Sequence, residues 1–202
     1  MKPRTEAAPV GRPRAFDVDE ALDRALRLFW RQGYEGTSLS DLTEELGINR
    51  PSLYAAFGNK EELFRKALER YVEHHLILYR EAFAKPTARE AMEHLVLGLA
   101  DAQTLPRGPR GCITVQGALV SGEAAAPIQK ELAARRLAGE KAIRERLEQG
   151  QRDGDVPPHV DCADLARYIN TVTQGMAVQA ATGTSREDLR RVARMSLAAW
   201  PT

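Results

Sequence analysis

The sequence predicts an all-α fold, in which three short N-terminal helices and a long connecting helix lead into a larger C-terminal helical domain. Along most of the 202-residue chain, apolar residues recur at spacings of three and four, which is the period of an amphipathic helix. Residues that cap helices stand at the start of most of these segments. Sustained alternation of apolar and polar residues is absent, as is any hairpin turn between apolar runs. We therefore expect helices and no sheet.

Composition and charge narrow the class of protein. The chain has 29 Lys and Arg residues against 28 Asp and Glu residues, which excludes a histone-like polycation and an acidic disordered tail. Its two cysteines, Cys112 and Cys162, are too few for a disulfide scaffold and suit a reducing cytoplasm. No apolar run approaches the roughly 18 residues of a membrane span. We therefore expect a cytoplasmic protein with no membrane partner.

Residues 1–15 are expected to form a flexible basic arm. Three prolines and a glycine block regular structure, and four basic residues stand against one acidic residue. Arg12 and Arg14 belong to an extended Gly-Arg-Pro-Arg sequence, and such arms can enter a narrow A·T-rich minor groove of DNA. A tail that only aids solubility is the alternative interpretation.

Residues 16–60 are expected to form a helix-turn-helix domain of three helices. The first helix should run from about residue 17 to residue 32 and stop at Gly33. A capping box that starts at Ser38 begins the second helix, and Asn49 caps the third. The second and third helices are short and are joined by a tight turn that contains glycine, which is typical of a helix-turn-helix.

The outward face of the third helix offers groups that can contact DNA. Its polar side chains suit base edges or phosphates, and its alanines allow a close approach to the bases. Lys60 lies beside the free backbone N–H groups of the next helix, where it suits a phosphate. The residues that carry this expectation are Thr37, Ser38, Asn49, Arg50, Ser52, Tyr54, Ala55, Ala56 and Lys60. Because residues 1–60 hold nine basic and nine acidic residues, an ordinary corner between two helices remains the alternative.

The rest of the chain, residues 61–202, is expected to form a second helical domain. A long connecting helix should run from about residue 60 to residue 84. Thr87, Asp161 and Ser185 are expected to cap later helices. These further helices are predicted at 88–103, 112–122, 127–150, 161–182 and 185–199.

Three short motifs follow one another between Phe29 and Phe64. They are a Gly-Tyr…Thr-Ser start, a Leu-Tyr…Phe helix and a Lys-Glu-x-Leu-Phe connector. In this order they strongly resemble the DNA-binding domain of the tetracycline-repressor (TetR/AcrR) family of bacterial transcriptional regulators. The resemblance covers about residues 15–65, and the remaining sequence is similar to the family only in length and helical character.

The resemblance implies a homodimeric repressor that binds a palindromic operator in double-stranded DNA. Thr37 and Ser38 would contact phosphates, and Tyr54 and Lys60 would contact the DNA backbone. The residues that would meet bases are Asn49, Arg50, Pro51, Ser52, Ala55 and Ala56.

The resemblance also implies that the C-terminal domain binds an unknown small-molecule effector and forms the dimer. An effector cavity needs a few polar groups in an apolar lining. The candidates on otherwise apolar helices are Tyr71, His75, Tyr79, Gln103, Thr114, Gln116, Thr171 and Gln174. In the family the last two helices form the dimer contact, although apolar stripes there could equally be intramolecular core. The candidate interface residues are Leu165, Ile169, Val172, Met176, Leu189 and Val192.

The sequence contains no motif for metal binding, nucleotide binding or nucleophilic catalysis. The histidines and cysteines lack the spacing of metal ligands, and neither a nucleotide-binding loop nor a nucleophile elbow occurs. We therefore expect no metal, no cofactor and no enzymatic activity. The alternative function is a ligand-independent or thiol-responsive DNA-binding regulator, in which Cys112 or Cys162 would have a redox role. A small helical enzyme or carrier is the other class left open.

Overall fold

The computed structural model describes residues 16–117, residue 122 and residues 125–201. Within these ranges all regular structure is helical, which confirms the all-α prediction. The helices are α1 (Val18–Gly36), α2 (Leu39–Leu46), α3 (Arg50–Phe57), α4 (Lys60–Phe83), α5 (Ala88–Ala102), α6 (Ile113–Gln116), α7 (Ala126–Asp153), α8 (Cys162–Ala181) and α9 (Arg186–Ala198). The predicted basic arm, with Arg12 and Arg14, lies outside the described residues.

Side-chain caps fix where most of these helices begin. At α2, Asp41 N donates to the Ser38 hydroxyl at 3.1 Å, and Ser38 N donates to the Asp41 carboxylate at 2.7 Å. Each cap accepts from a backbone N–H group that the helix itself cannot satisfy. The residues that do this are Asp17, Ser38, Asn49, Asn59, Thr87, Asp161 and Ser185. Because these bonds are local, the helix starts predicted at Ser38, Asn49, Thr87, Asp161 and Ser185 are confirmed.

Two glycines show why the helix ends were harder to predict. The expected end of the seventh helix was residue 150, but α7 continues to Asp153 and ends at Gly154, which has a left-handed φ of 86°. Gly150 is instead buried inside the helix, where a Cβ atom would come within 2.6 Å of the Cβ of Ala88. Gly150 allows α7 to pack closely against Ala88. The sequence alone does not show whether a glycine serves such packing or ends a helix.

The structure also differs from the prediction at Gly33 and in the middle of the chain. Gly33 breaks α1 with φ 74° and ψ 170°, but helical turns resume and the helix reaches Gly36. In place of the predicted helix at 112–122, the structure describes only a single turn, α6. Residues 118–121 and 123–124 lie outside the described part of the chain.

Two hydrophobic clusters organise the molecule, and α4 belongs to both. The first cluster joins α1, α2, α3 and the first half of α4, and it includes Ile113 of α6 and Leu132 of α7. The second joins the end of α4 to α5, α7, α8 and α9. Packing therefore crosses residue 60, where the domain boundary is predicted, and that boundary stays a prediction.

Neither a membrane span nor a metal cluster occurs in the described part of the chain. None of its helices has both the length and the apolar character that crossing a bilayer requires. No three His, Cys, Asp or Glu side chains there are grouped so that they could hold a metal ion. The two sites described next are the exposed surface of α3 and a cavity between helices.

Candidate DNA interface and interior cavity

The third helix is held by one face and presents the other to solvent. Leu53 and Phe57 are fully buried in the first cluster and anchor α3. On the opposite side, Tyr54 is 47% exposed. The other exposed residues at the start and along this face are Asn49, Arg50, Pro51 and Ala55. A short, anchored helix with polar and small residues outward is the form that enters a major groove.

The polar groups of this surface are held in defined positions. Asn49 Oδ1 accepts from the backbone N–H of Ser52 at 2.9 Å, so this oxygen is used in capping α3. The guanidinium of Arg50 donates to the Ser40 hydroxyl of α2 at 3.0 Å. This contact is exposed, so Arg50 can exchange Ser40 for a base edge at small cost. Arg50 is therefore the strongest hydrogen-bond donor that α3 can offer to DNA.

The structure corrects the expectation for Thr37. Its side chain is fully buried, and its hydroxyl donates to the carbonyl oxygen of Gly33 at 2.7 Å. The break of the helix at Gly33 leaves that carbonyl in need of a donor, and Thr37 supplies it. A phosphate contact through this hydroxyl is therefore wrong. Ser38 is exposed and remains at the surface.

Lys60 stands at the first position of α4, as predicted, but its ammonium group is partly occupied. Its Nζ lies 4.4 Å from the centroid of the Tyr34 ring, which is a cation–π contact. Partial burial lowers the pKa of Lys60, while Glu35 and Asp41 act in the opposite direction. A phosphate at this position would share the ammonium group with the aromatic ring.

A partly open cavity of about 350 Å³ lies between α4, α5, α6, α7 and α8, and Leu76 and Ala138 of its wall are exposed. Its wall combines aromatic and aliphatic side chains with a few polar groups, which is the composition of a small-molecule site. Six of the sequence-predicted residues line it: Tyr71, His75, Tyr79, Gln103, Thr114 and Gln174. The structure thus brings together residues that are widely separated in the chain.

Two predicted cavity residues lie elsewhere. Gln116 faces a separate cleft beside α1, where its Oε1 accepts from the indole N–H of Trp30 at 3.1 Å. Thr171 is exposed, and its hydroxyl donates to the carbonyl oxygen of Arg167 at 2.7 Å. Both expectations are wrong because a polar residue within an apolar helix can face either way.

Five polar residues on the cavity wall were not predicted from the sequence. They are Cys112, Arg135, Arg136, Asn170 and Thr173. Helical spacing could have found two of them, because Asn170 and Thr173 share one face of α8 with Gln174. The two arginines gave no such signal, since their helix is rich in charged residues throughout.

Burial favours the neutral forms of three groups on the cavity wall, namely His75, Tyr71 and Tyr79. Burial lowers the pKa of His75, whose Nδ1 lies 3.1 Å from the carbonyl oxygen of Tyr71. Burial also raises the pKa of Tyr79 to about 12 and that of Tyr71 well above its ordinary value. The Tyr71 hydroxyl donates to Cys112 Sγ at 3.0 Å. The aromatic lining is therefore uncharged at neutral pH.

The single turn α6 lies between the cavity and the helix-turn-helix. Cys112 and Thr114 line the cavity, whereas Gln116 holds Trp30 of α1. The Trp30 ring also packs edge-on against Tyr71, with the ring centroids 4.8 Å apart. Because Tyr71 itself lines the cavity, the cavity wall contacts α1 directly.

On the last two helices, most of the predicted dimer residues face the protein's own core. Ile169, Met176 and Leu189 are buried in the second cluster, so their assignment to an intermolecular surface is wrong. Leu165 and Val172 are half-buried against the same cluster. The larger apolar stripe of each helix packs against the protein's own helices, because burial there removes the most apolar area from water.

These two helices also carry exposed apolar and aromatic residues. Val192 is 44% exposed and Met195, one turn further along α9, is 76% exposed. On α8, Tyr168 and Val178 are also exposed. Of the predicted interface residues, Val192 is the one that the structure leaves open to a partner.

Together these features define a class of protein, namely a helix-turn-helix protein that joins a DNA-binding domain to a cavity-bearing helical domain. The chain belongs to the tetracycline-repressor (TetR) family of bacterial regulatory proteins. Residues 21–67 match the profile of the family's regulatory N-terminal domain, and residues 86–196 match the tetracyclin repressor-like C-terminal domain. The resemblance predicted from the sequence is confirmed.

Individual relatives support the same conclusion. The chain is 37% identical to the HTH-type transcriptional repressor ComR of Escherichia coli K12, over 95% of this chain and 92% of ComR. It is 29% identical to the repressor BdcR of the same strain, over 97% and 95% of the two chains. Among solved structures, a cysteine variant of the TetR family regulator CifR, complexed with 26-base-pair operator DNA, has 42% identity and a TM-score of 0.91. This match covers 95% of this chain and all of that one.

Proposed function

We propose that this protein is a transcriptional repressor that binds a palindromic operator as a homodimer and leaves it when a small molecule occupies the cavity. The observation that carries the proposal is the exposed polar face of α3, held in place by buried Leu53 and Phe57. Two relatives are named as repressors, and a similar structure is complexed with operator DNA. Because the target is chromosomal DNA, we place this function in the cytoplasm.

Effector binding would act through the distance between two recognition helices. Two copies of α3 must lie about 34–36 Å apart to enter successive major grooves. An effector that binds more tightly to a dimer with a different helix spacing weakens DNA binding. The loss of DNA-binding free energy cannot exceed the difference between the effector's binding free energies for the two spacings. Helix α4 suits this coupling because it starts at Lys60 beside the DNA surface and runs past the cavity from Tyr71 to Tyr79.

Selection of bound sequences from random duplex DNA, followed by substitution of Arg50, tests DNA recognition. We expect a palindromic site, and we expect Arg50→Ala to cost about 1–3 kcal/mol of binding free energy while relaxing one base position. A control is Arg144→Ala, because Arg144 lies on α7 and pairs with Glu148; it should bind like the wild type. An equal loss on all DNA sequences would assign Arg50 to phosphate contact alone.

The homodimer is proposed to form through the exposed sides of α8 and α9. Substituting Val192→Glu together with Met195→Glu should place charges in an apolar contact and give monomers by light scattering at micromolar concentration. Leu105→Glu is the control, since Leu105 is exposed in the loop after α5. A double variant that stays dimeric would assign the contact to another surface.

A thiol-responsive regulator is the second candidate, and the position of Cys112 favours it. Cys112 lines the cavity and accepts a hydrogen bond from Tyr71, whereas Cys162 is buried and burial raises its pKa. Release of the operator by hydrogen peroxide in the wild type, but not in Cys112→Ser, would establish this candidate. Equal release by hydrogen peroxide in both proteins would exclude Cys112 as the sensor.

A further inference from the structure

We infer that the effector of this cavity is an organic anion, whose apolar body fills the cavity and whose carboxylate lies beside the guanidinium of Arg136. The inference rests on the proposed function, because it names the chemical class of effector for the same cavity. Three features of the wall carry it, namely its charge, an arginine with accessible N–H groups and a tyrosine hydroxyl that no described residue contacts by a hydrogen bond.

The wall of the cavity carries positive charge. It includes Arg135 and Arg136, whereas no Asp or Glu is among the described residues that line it. His75 is neutral near pH 7, because burial lowers its pKa. A cationic ligand would therefore meet like charge without a counter-ion. An anion would supply the counter-charge, in surroundings where water screens charges less than in bulk solution.

Arg136 is the arginine that can accept a new partner. Its Nη1 donates to the carbonyl oxygen of Thr114, another residue of the cavity wall. That bond to a neutral group leaves the charge uncompensated and uses only part of the five N–H donors of a guanidinium. Within the described part of the chain, Nε and Nη2 make no hydrogen bond, and neither is a buried atom without a partner. They are therefore accessible, on a side chain that is half-buried.

Arg135 adds charge to the wall but already shares a carboxylate. It lies 3.5 Å from Glu131, and the same carboxylate accepts from Nε of Arg65 at 3.0 Å. One acidic group thus stands against two guanidiniums, and Arg65 is the nearer of the two. Arg135 therefore strengthens the positive potential of the wall, whereas Arg136 is the direct partner of the anion.

The hydroxyl of Tyr79 is a further donor on the same side of α7. A Cβ atom built on Gly139, itself a wall residue, would lie 3.4 Å from Tyr79 Oη, so the hydroxyl points at α7. Gly139 follows Arg136 by three residues, and residues at that spacing share one face of a helix. Burial raises the pKa of Tyr79 to about 12, so the hydroxyl keeps its proton and can donate. The guanidinium and the hydroxyl together suit the oxygens of a carboxylate.

Size and lining define the body of the ligand. The cavity volume of about 350 Å³ is at the lower end of the roughly 300–1,000 Å³ that pockets for small organic molecules span. Aromatic and aliphatic side chains, including Tyr71, Leu99 and Val115, form much of the wall. Leu76 and Ala138 are exposed where the cavity is open, which gives a ligand a way in. An aryl group on a short chain that ends in a carboxylate matches these properties.

Four compounds separate the charge of the ligand from its apolar fit. They are 3-phenylpropanoate, its neutral amide 3-phenylpropanamide, 3-phenylpropylammonium and acetate, titrated calorimetrically into the full chain at pH 7. We expect 3-phenylpropanoate to bind about tenfold more tightly than the amide, because a charged hydrogen bond replaces a neutral one. The ammonium compound and acetate should both bind more weakly than 3-phenylpropanoate. Equal or tighter binding of any of the other three, or no binding of 3-phenylpropanoate, would overturn the inference.

A matched pair of variants on α7 tests whether Arg136 is the anchor. Arg136→Gln removes the charge but keeps a polar side chain, and it should reduce the preference for the carboxylate over the amide to less than about threefold. Arg144→Gln makes the same change at a residue that pairs with Glu148 outside the cavity, and it should retain the full preference. Full preference in a folded Arg136→Gln protein would overturn the assignment. If that variant does not fold, the four titrations of the wild type still decide the ligand class.

Operator binding in the same samples separates this inference from the proposed function. A protein that prefers the carboxylate but binds no DNA duplex would overturn the proposed function and leave the ligand class in place. A protein that binds its operator normally and does not prefer the carboxylate over the amide would overturn the ligand class alone.

Discussion

The DNA-reading surface and the cavity are assembled in opposite ways. Helices α2 and α3 are two consecutive eight-residue helices, and the caps that begin them, Ser38 and Asn49, belong to the same short segment. The cavity instead takes its wall from five separate helices, over residues from Tyr71 to Gln174. One site is specified by local hydrogen bonds, and the other by packing between distant elements.

This difference has a functional meaning. A surface built from two consecutive helices on one small core can keep its shape when more distant helices shift, which suits the reading of a fixed DNA geometry. A cavity built from several helices changes when any one of them shifts, which suits a response to a ligand. The turn α6 joins the two, since Thr114 lines the cavity and Gln116 holds Trp30.

The largest expected effect tests whether the DNA-reading surface depends on the buried side chains beneath α3. Leu53→Ala removes a fully buried side chain beneath the recognition helix. We expect the free energy of unfolding to fall by about 2–5 kcal/mol, measured by urea denaturation. Leu137→Ala, at a position that is 65% exposed, should change it by less than about 0.5 kcal/mol. Equal effects of the two substitutions would contradict the packing described for α3.

An intermediate effect is expected where the two regions meet. Trp30→Phe keeps an aromatic ring against Tyr71 but removes the N–H group that Gln116 accepts. We expect a loss of about 0.5–1.5 kcal/mol in the free energy of unfolding, since one partly buried hydrogen bond disappears. The operator should still be bound, but ligand should displace it less effectively. Trp200→Phe, remote from α6, is the matched control; an unchanged response in both variants would exclude the Trp30 contact from the coupling.

The smallest effect concerns the pH dependence of the free energy of unfolding, to which His75 in the cavity wall contributes. Because burial lowers the pKa of His75 in the folded protein, the unfolded chain binds a proton more readily as the pH falls below about 6.5. The free energy of unfolding should then decrease with falling pH, by at most about 1.4 kcal/mol per pH unit, until the folded pKa is reached. His75→Gln should flatten this slope between pH 7.5 and 5.5 in urea titrations. His159→Gln, at an exposed position, should leave the slope unchanged, and a slope that survives in His75→Gln would assign it to other groups.

The features of this protein that depend on local bonds were easier to predict than those that depend on packing. Helix starts were predicted well because Ser38, Asn49 and Asn59 each satisfy N–H groups within three residues of themselves. The buried position of Thr37 was missed because it depends on the backbone break at Gly33, which changes where the carbonyl points. Thr171 was placed in the cavity although it faces solvent, because its neighbours in sequence do not reveal which side of α8 is covered.

The sequence alone determined the all-α class, the helix starts and the motifs of the DNA-binding domain, because capping bonds and apolar periodicity act over a few residues. Only the tertiary structure decided which apolar stripes are core, with Ile169, Met176 and Leu189 turned inward and Met195 outward. It also decided that Gln103 lines the cavity while Gln116 binds Trp30 outside it. The physical reason is that burial is a property of neighbouring elements, and neighbours distant in the chain are set only when the helices pack together.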